Sequence, residues 1–295
     1  MNKFRVINDH DNMRIDRWFR KNKFNFPQAL IEKSLRVGDI KLNRKKVKSS
    51  KKIHTNDLIE IYNLDLSFKE NKKKFIPSKK ILNENEKSII FDNDDFIVLN
   101  KPSGISVQGG TKSKKNLIDI YSKSKYFKES KPYTVHRLDK DTSGLLIIGK
   151  NRKTAQFFTS LFRLRKIHKT YIALLKGEID KSNGIWCHFL KKEENNKKIT
   201  EKAVTNFKIL DKNNGYTLVE LKPITGRKHQ LRKQSAILGY PIVGDTKYST
   251  LFKKTKNLML HSFTLKFILN GKKMSYKASI PDYFQKILKT NNLDF

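Results

Sequence analysis

The sequence is short of acid, of thiols and of unbroken apolar runs, and each shortage excludes something. Asp and Glu number 28 against 64 Lys and Arg, which leaves a net charge of +36. Self-repulsion at that charge opposes compaction, so a polyanionic partner is expected, and nucleic acid is the natural one. The competing explanation is simple Lys enrichment from a compositionally biased proteome. Cysteine occurs once, at Cys187. A single thiol cannot staple a fold or build a Cys-based metal site, and it fits a reducing compartment. The histidines show no metal-ligand spacing with each other or with Cys187, and no residue pattern suggests a metal or organic cofactor. No stretch approaches the roughly 20 apolar residues of a membrane span. The opening MNKFRVINDHDNMR has no apolar run that could act as a signal peptide. A soluble, cytoplasmic, cofactor-free protein is expected, with no membrane partner. A G-x-S-x-G elbow, a P-loop and a glycosidase-type carboxylate pair are also missing.

What is present falls into three zones. In the first, residues 1–62, MRIDRWFRKN puts Ile15, Trp18 and Phe19 on one helical face among basic residues. QALIEKSLRVGD fits a second helix through Ala29, Leu30, Lys33, Ser34 and Val37, with Gly38 at its C-cap. IKLNRKKVKSS and DLIEIY alternate as strands. Residues 63–87, Lys-rich and poor in apolar side chains, read as a basic linker. From residue 88 to 295 several strand-length segments follow one another without crossover helices, among them FIVLNK, GLLIIGK, TYIALLKGEI and YTLVELKP. NRKTAQFFTSLFRLRK and HQLRKQSAILG read as helices. The expected fold class is α/β (α+β), with a mixed, mostly antiparallel sheet in the larger domain.

The segment with the most chemistry is His136-Arg137-Leu138-Asp139-Lys140-Asp141-Thr142-Ser143-Gly144, a polar loop delivered onto the apolar strand LLIIGK. Such a loop can hold one carboxylate at a fixed place on a rigid scaffold. Taken alone, Asp139 could equally be a salt-bridge partner of Arg137.

This loop resembles the H-R-L-D-x-x-T/S-S/T-G signature of the RluA-type pseudouridine synthases. FIVLNKPSGISVQGG, KTYIALLKG, LKPITGRKHQLRKQSAILGYPIVGDTKY and LMLHSFTLKF resemble further motifs of that family, in family order. One departure is Lys233-Gln234, where many relatives carry Val-His; it bears on RNA contacts. The opening R-I-D-R-W-F, the centre from Leu30 to Asn43 and the closing D-L-I of the first zone resemble an S4 RNA-binding domain. There Arg44 stands where the family usually has Gly.

The resemblance implies an isomerase that converts uridine to pseudouridine in RNA. It implies that Asp139 is the nucleophile or charge partner at C1′, that Tyr171 stacks on the uracil and helps remove the C5 proton, and that Arg232 pairs with Asp139. Arg137 would enter the RNA stack as the target nucleotide leaves. RNA-contacting or pocket-shaping roles fall to His136, Thr142, Lys101, Arg227, His229 and Gln230, and S4-type RNA contacts to Arg14, Arg17, Lys33 and Arg36. An S4 domain before the catalytic domain points to the branch acting on large-subunit (23S-type) ribosomal RNA. Within it the S-G and V-Q-G-G residues look closest to the C type rather than the D type. A monomer is the family-like expectation. Two alternatives stand beside this reading: a non-catalytic S4-domain protein of ribosome assembly, and a synthase acting on other rRNA sites or tRNA. A synthetase fragment, suggested by Lys273-Met274-Ser275, lacks its partner motif, and KMSYKASI alternates like a strand.

Overall fold

The structure is a computed structural model and describes the chain apart from residues 23, 25, 65–74, 110–114, 129, 195–196 and 253–256, and the side chains of 192–198. It divides into two units, Met1–Lys73 and Lys74–Phe295.

The first unit contains β1 (Asn2–Arg5), β2 (Met13–Arg14), α1 (Ile15–Lys21), α2 (Gln28–Val37), β3 (Ile40–Leu42), β4 (Lys52–Ile53) and β5 (Leu58–Ile61). A three-stranded sheet runs β1-β5-β3, and β2 pairs with β4. As expected, α1 buries Ile15, Trp18 and Phe19. The α2 helix differs from the reading: it buries Ile31, Ser34 and Leu35 and leaves Val37 exposed. Gly38 closes it with φ 99°, a left-handed cap. Arg44 fills its turn without relaxing it, since Asn43 (φ 49°) and Arg44 (φ 65°) both take the left-handed conformation of a tight two-residue turn.

The second unit contains α3 (Lys79–Glu86), β6 (Ile89–Asp92), β7 (Phe96–Lys101), α4 (Leu117–Tyr121), β8 (Tyr133–Thr134), β9 (Ser143–Gly149), α5 (Arg152–Arg163) and β10 (His168–Lys176). It continues through β11 (Asn183–Glu194), β12 (Lys197–Asn213), β13 (Tyr216–Pro223), α6 (Gln230–Ile237), β14 (Leu260–Leu269), β15 (Lys272–Lys277) and α7 (Asp282–Thr290). The expected linker over 63–87 is corrected here. Residues 65–74 lie outside the described residues, but α3 is a helix whose Ile81 and Leu82 pack, with Phe75, against the core formed by β7, β9 and α4.

The ten-stranded sheet runs β11-β12-β13-β10-β14-β9-β7-β6, with β15 on β14 and β8 on β9. Among the described residues β14–β9 is its one parallel pairing, so the sheet is mixed and mostly antiparallel, as the run of strands without crossovers implied. That pairing lasts only from His261↔Ser143 to Ser262↔Gly144, after which β15 takes over the edge of β14 and β8 that of β9. The sheet forks there, next to the His136–Gly144 loop. The register between β10 and β14 also slips at Thr170/Tyr171, a bulge of the kind that re-aims a side chain. KMSYK is strand β15.

Candidate active site

The loop that carries Asp139 is fixed from two sides. On one, Leu138 is buried among Ile97, Leu99, Leu146 and Ile148. On the other, the Lys101–Gly104 turn ties it by hydrogen bonds. Lys101 Nζ donates to the carbonyl oxygens of Pro102 (2.8 Å), Ile105 (2.9 Å) and Lys140 (3.0 Å). The Gly104 N–H donates to Lys140 O (2.9 Å) and Ser103 Oγ to Asp141 O (2.7 Å). Three carbonyls match the three N–H groups of an ammonium. Burial nevertheless pulls the Lys101 pKa down to about 7, with Asp141 and Asp139 opposing that fall. The far end of the loop needs glycine: Gly144 has φ 107°, and a Cβ there would lie 2.2 Å from the Ser262 carbonyl oxygen. Close approach of β9 to β14 is therefore what fixes the base of the loop.

Asp139 opens into a cleft of about 1030 Å³. Its Oδ1 lies 3.5 Å from His229 Nε2 and its Oδ2 lies 3.8 Å from an Arg232 Nη1. The expected Arg232–Asp139 partnership is thus present only at the edge of ion-pair range. Arg232 gives its two-pronged contact to Asp245 instead, Nε to Oδ2 and Nη2 to Oδ1, both at 2.7 Å. Burial works against the charge of each. The pairing outweighs it, holding Arg232 above and Asp245 below their ordinary pKa ranges, with the Tyr248 and Lys247 N–H groups adding to the pull on Asp245. Reading the sequence missed Asp245. Its signal is the lone carboxylate of Gly244-Asp245-Thr246-Lys247-Tyr248, and Tyr248 is the second omission: its ring lies under the Arg232 guanidinium (5.3 Å) and its hydroxyl meets His229 Nδ1 (2.7 Å).

Tyr171 lines the same cleft, beside the bulge in β10. Burial pushes its phenol up to about 12; the neighbouring Ser262 hydroxyl pulls the other way and Asp139 adds to the rise. His229, just before α6, has φ 53°, a left-handed backbone that a non-glycine residue holds only under local constraint. Burial lowers its pKa, against the pull of Asp139 and with the push of Arg232, Lys247 and Lys228.

Several residues expected to contact RNA are committed elsewhere. Lys101 is fully buried in its carbonyl cage and does not line the cleft, whereas Thr142, buried at the loop base, does. Gln230 is buried and ties the 223–230 turn to β12, accepting from Thr225 Oγ1 (2.7 Å) and the Arg227 N–H (3.0 Å) and donating to Val204 O (3.1 Å). His136 stacks on Phe162 (4.3 Å) and its Nε2 accepts the Ile147 N–H (2.9 Å), while burial pulls its pKa down to about 3; a neutral structural ring results. Arg227 is held by Glu201 and Lys202 O. Gln234, the departure from the family pattern, is fully buried and bonds Trp186 O and Ala203 O, so it bears on packing and not on RNA. Arg137 alone of the loop's expected contacts is exposed along the cleft. In the first unit Arg14, Arg17, Lys33 and Arg36 are all exposed, and Arg14 is in addition bound to Asp16 at 2.7 and 3.0 Å.

Comparisons with known proteins agree with this geometry. A family model described as RNA pseudouridylate synthase matches residues 95–236. The chain is 33% identical over 308 residues to a Rickettsia bellii protein named ribosomal large subunit pseudouridine synthase C, covering 96% of this chain and 99% of the relative. It is 29% identical over 303 residues to a Vibrio cholerae protein of the same name, covering 96% and 94%. Among solved structures, human RNA pseudouridylate synthase domain containing 4 shares the fold, with a TM-score of 0.63 at 23% identity over 73% of this chain and 97% of that one.

Proposed function

The chain belongs to the RNA pseudouridylate synthase family, as an RNA isomerase, and we propose that its substrate is large-subunit (23S-type) ribosomal RNA, with Asp139 as the attacking carboxylate. The observation that carries the chemistry is one carboxylate, clamped by the Lys101–Gly104 turn, facing a cleft beside Arg232 and Tyr171. Asp139 assists rupture of the uridine N1–C1′ bond, either by bonding to C1′ or by aiding glycal formation, and the freed uracil turns and rejoins C1′ through C5. The C5 proton then leaves. With its phenol held near 12, Tyr171 is a neutral ring and O–H in the resting site. It can take the C5 proton only once an acceptor, such as the released Asp139, takes its own. Arg232, fixed by Asp245, supplies positive charge on the far side of the carboxylate. Arg137, exposed along the cleft, fills the stack when the target base is flipped. The ribosomal assignment rests on the names of relatives aligned over nearly the whole chain. On this reading the first unit is an S4-type RNA-binding domain presenting Arg17, Lys33 and Arg36, and the protein works as a cytoplasmic monomer.

The test is to incubate the protein with unmodified large-subunit rRNA and map pseudouridine by chemical labelling and primer extension, beside Asp139→Ala. Discrete modified positions that vanish in the variant are expected. RNA bound equally by both proteins, with no pseudouridine on rRNA, precursor particles or tRNA, would favour a non-catalytic assembly protein.

A further inference from the structure

At the outer edge of the ten-stranded sheet, the β11–β12 hairpin has two faces of opposite use. Strand alternation turns Trp186, Leu190, Ala203, Thr205 and Phe207 inward, where α6 covers them through Gln234. The other face carries Ile185, 66% exposed, the exposed Cys187, and Phe189, 68% exposed. Their cross-strand partners are Asn206, Val204 and Lys202. Lys191, Lys202 and Lys208 are exposed on the same face. The register carries it on from Asn206 to Lys222 of β13. Both of those residues, with the exposed Ile224, line the catalytic cleft. Among the described side chains of this face the one carboxylate, Glu220, is paired with Lys222 (2.6 Å).

A large phenyl ring left in water directly opposite a lysine is an arrangement with a specific use. An apolar protein partner would have to strip these lysines of water without offsetting their charge. An unpaired nucleotide offers both halves of the complement: a base to lie on the ring, and a phosphate for the ammonium. The face also runs without a break into the cleft that takes the target base. We propose that the outer face of β11–β12 binds unpaired nucleotides flanking the target uridine, with Phe189 stacking on a base and Lys202 and Lys208 holding the adjoining phosphates. The proposal rests on RNA being the substrate, and does not depend on that RNA being ribosomal.

Cys187, the only cysteine of the chain, sits between Ile185 and Phe189 on this face and reports its occupancy. The rate at which uncharged N-ethylmaleimide alkylates it is measured in the full-length protein, free and saturated with large-subunit rRNA transcript or with dodecauridine. A slowing of at least about fivefold in both complexes is expected, since a nucleotide stacked on Phe189 covers the thiol. Phe189→Ala should raise KM for the modified RNA about tenfold with kcat unchanged, the loss of one base–aromatic stack. Phe189→Tyr should restore it to within about twofold, and Phe189→Leu, apolar but unable to stack, should not. An unchanged alkylation rate in both saturated complexes, or Phe189→Leu performing like Phe189→Tyr, overturns the proposal. Failure of the wild-type protein to modify the rRNA, with Cys187 still protected, would count against the ribosomal assignment and leave this face as an RNA site.

Discussion

At the scale of single residues, the site depends on positions where one backbone angle or one proton decides the outcome. Gly144 is held at φ 107° with no room for a Cβ against Ser262. Gly144→Ala should cost about 3 kcal/mol in urea unfolding and abolish turnover, because β9 and the Asp139 loop must move together; a cost below about 1 kcal/mol would show that the strand can yield. Arg44 is the opposite case, a strained residue in open surroundings. Arg44→Gly should stabilise the first unit by about 1 kcal/mol, since the hydrogen bond to Glu60 comes from the backbone N–H and survives the change. His136 is a matter of protonation. Its Nε2 accepts a backbone N–H, and its pKa falls from 6.5 to about 3 on folding. Between those values the unfolded chain binds more protons, so this residue's contribution is whole above pH 6.5 and is lost progressively as pH falls toward 3. His136→Gln, which keeps an acceptor but cannot charge, should flatten stability against pH in that window by up to about 1.4 kcal/mol per pH unit. An identical slope in the variant would mean that His136 does not titrate with unfolding.

At the scale of elements, α6 and the 241–248 turn act as one device, which aims a guanidinium at Asp139. Asp245 is 1% exposed and accepts from both Arg232 and the turn's own backbone. Asp245→Asn leaves a buried guanidinium without its counter-charge, and should cost about 3 kcal/mol. It should also lower kcat more than it raises KM, because Arg232 is then free to collapse onto Asp139. Thermal unfolding and steady-state kinetics on rRNA check the two halves separately; an unchanged kcat would remove Arg232 from any role in aiming the carboxylate. This pair also shows where sequence reading stops. The loop, the helices α5 and α6, and the strand-length apolar or alternating segments of β7, β9, β10 and β13 were legible because each is written in a local run, a local periodicity or a contiguous motif. That Arg232 would choose Asp245, 13 positions away, over Asp139 depends on how a turn folds back, which no spacing encodes. Helix α3 went unread for a related reason: its segment is polar, and the few apolar side chains that hold it, Phe75, Ile81 and Leu82, find their partners only in the distant β7–β9 core. For Lys101 and Gln230 the motif left RNA contact and pocket shaping both open. Burial makes both internal hydrogen-bonding groups that hold loops in place, Lys101 donating to three carbonyls and Gln230 both donating and accepting.

For the whole molecule the leading quantity is the net charge of +36. Lysines and arginines spread over both units attract any polyphosphate, whereas on the proposed mechanism the site offers one clamped carboxylate to the ribose of one nucleotide. Capture and chemistry should therefore separate under salt. Counterion release makes affinity fall with each phosphate contacted, so raising salt from about 50 to about 200 mM should weaken rRNA binding about a thousandfold or more. The kcat at saturating RNA should hold, because the cleft groups Arg232 and Asp245 are paired to each other and shielded from bulk ions. Asp139→Ala should follow the same salt slope as the wild-type protein, since on the proposed mechanism the carboxylate acts at the ribose C1′ and not at a phosphate. Filter binding across a salt series, with single-turnover rates at each point, gives both numbers. A slope equivalent to only one or two phosphates would mean that the charge is a surface property unused in recognition. A kcat falling in step with affinity would mean that phosphate contacts also help to assemble the cleft around Asp139.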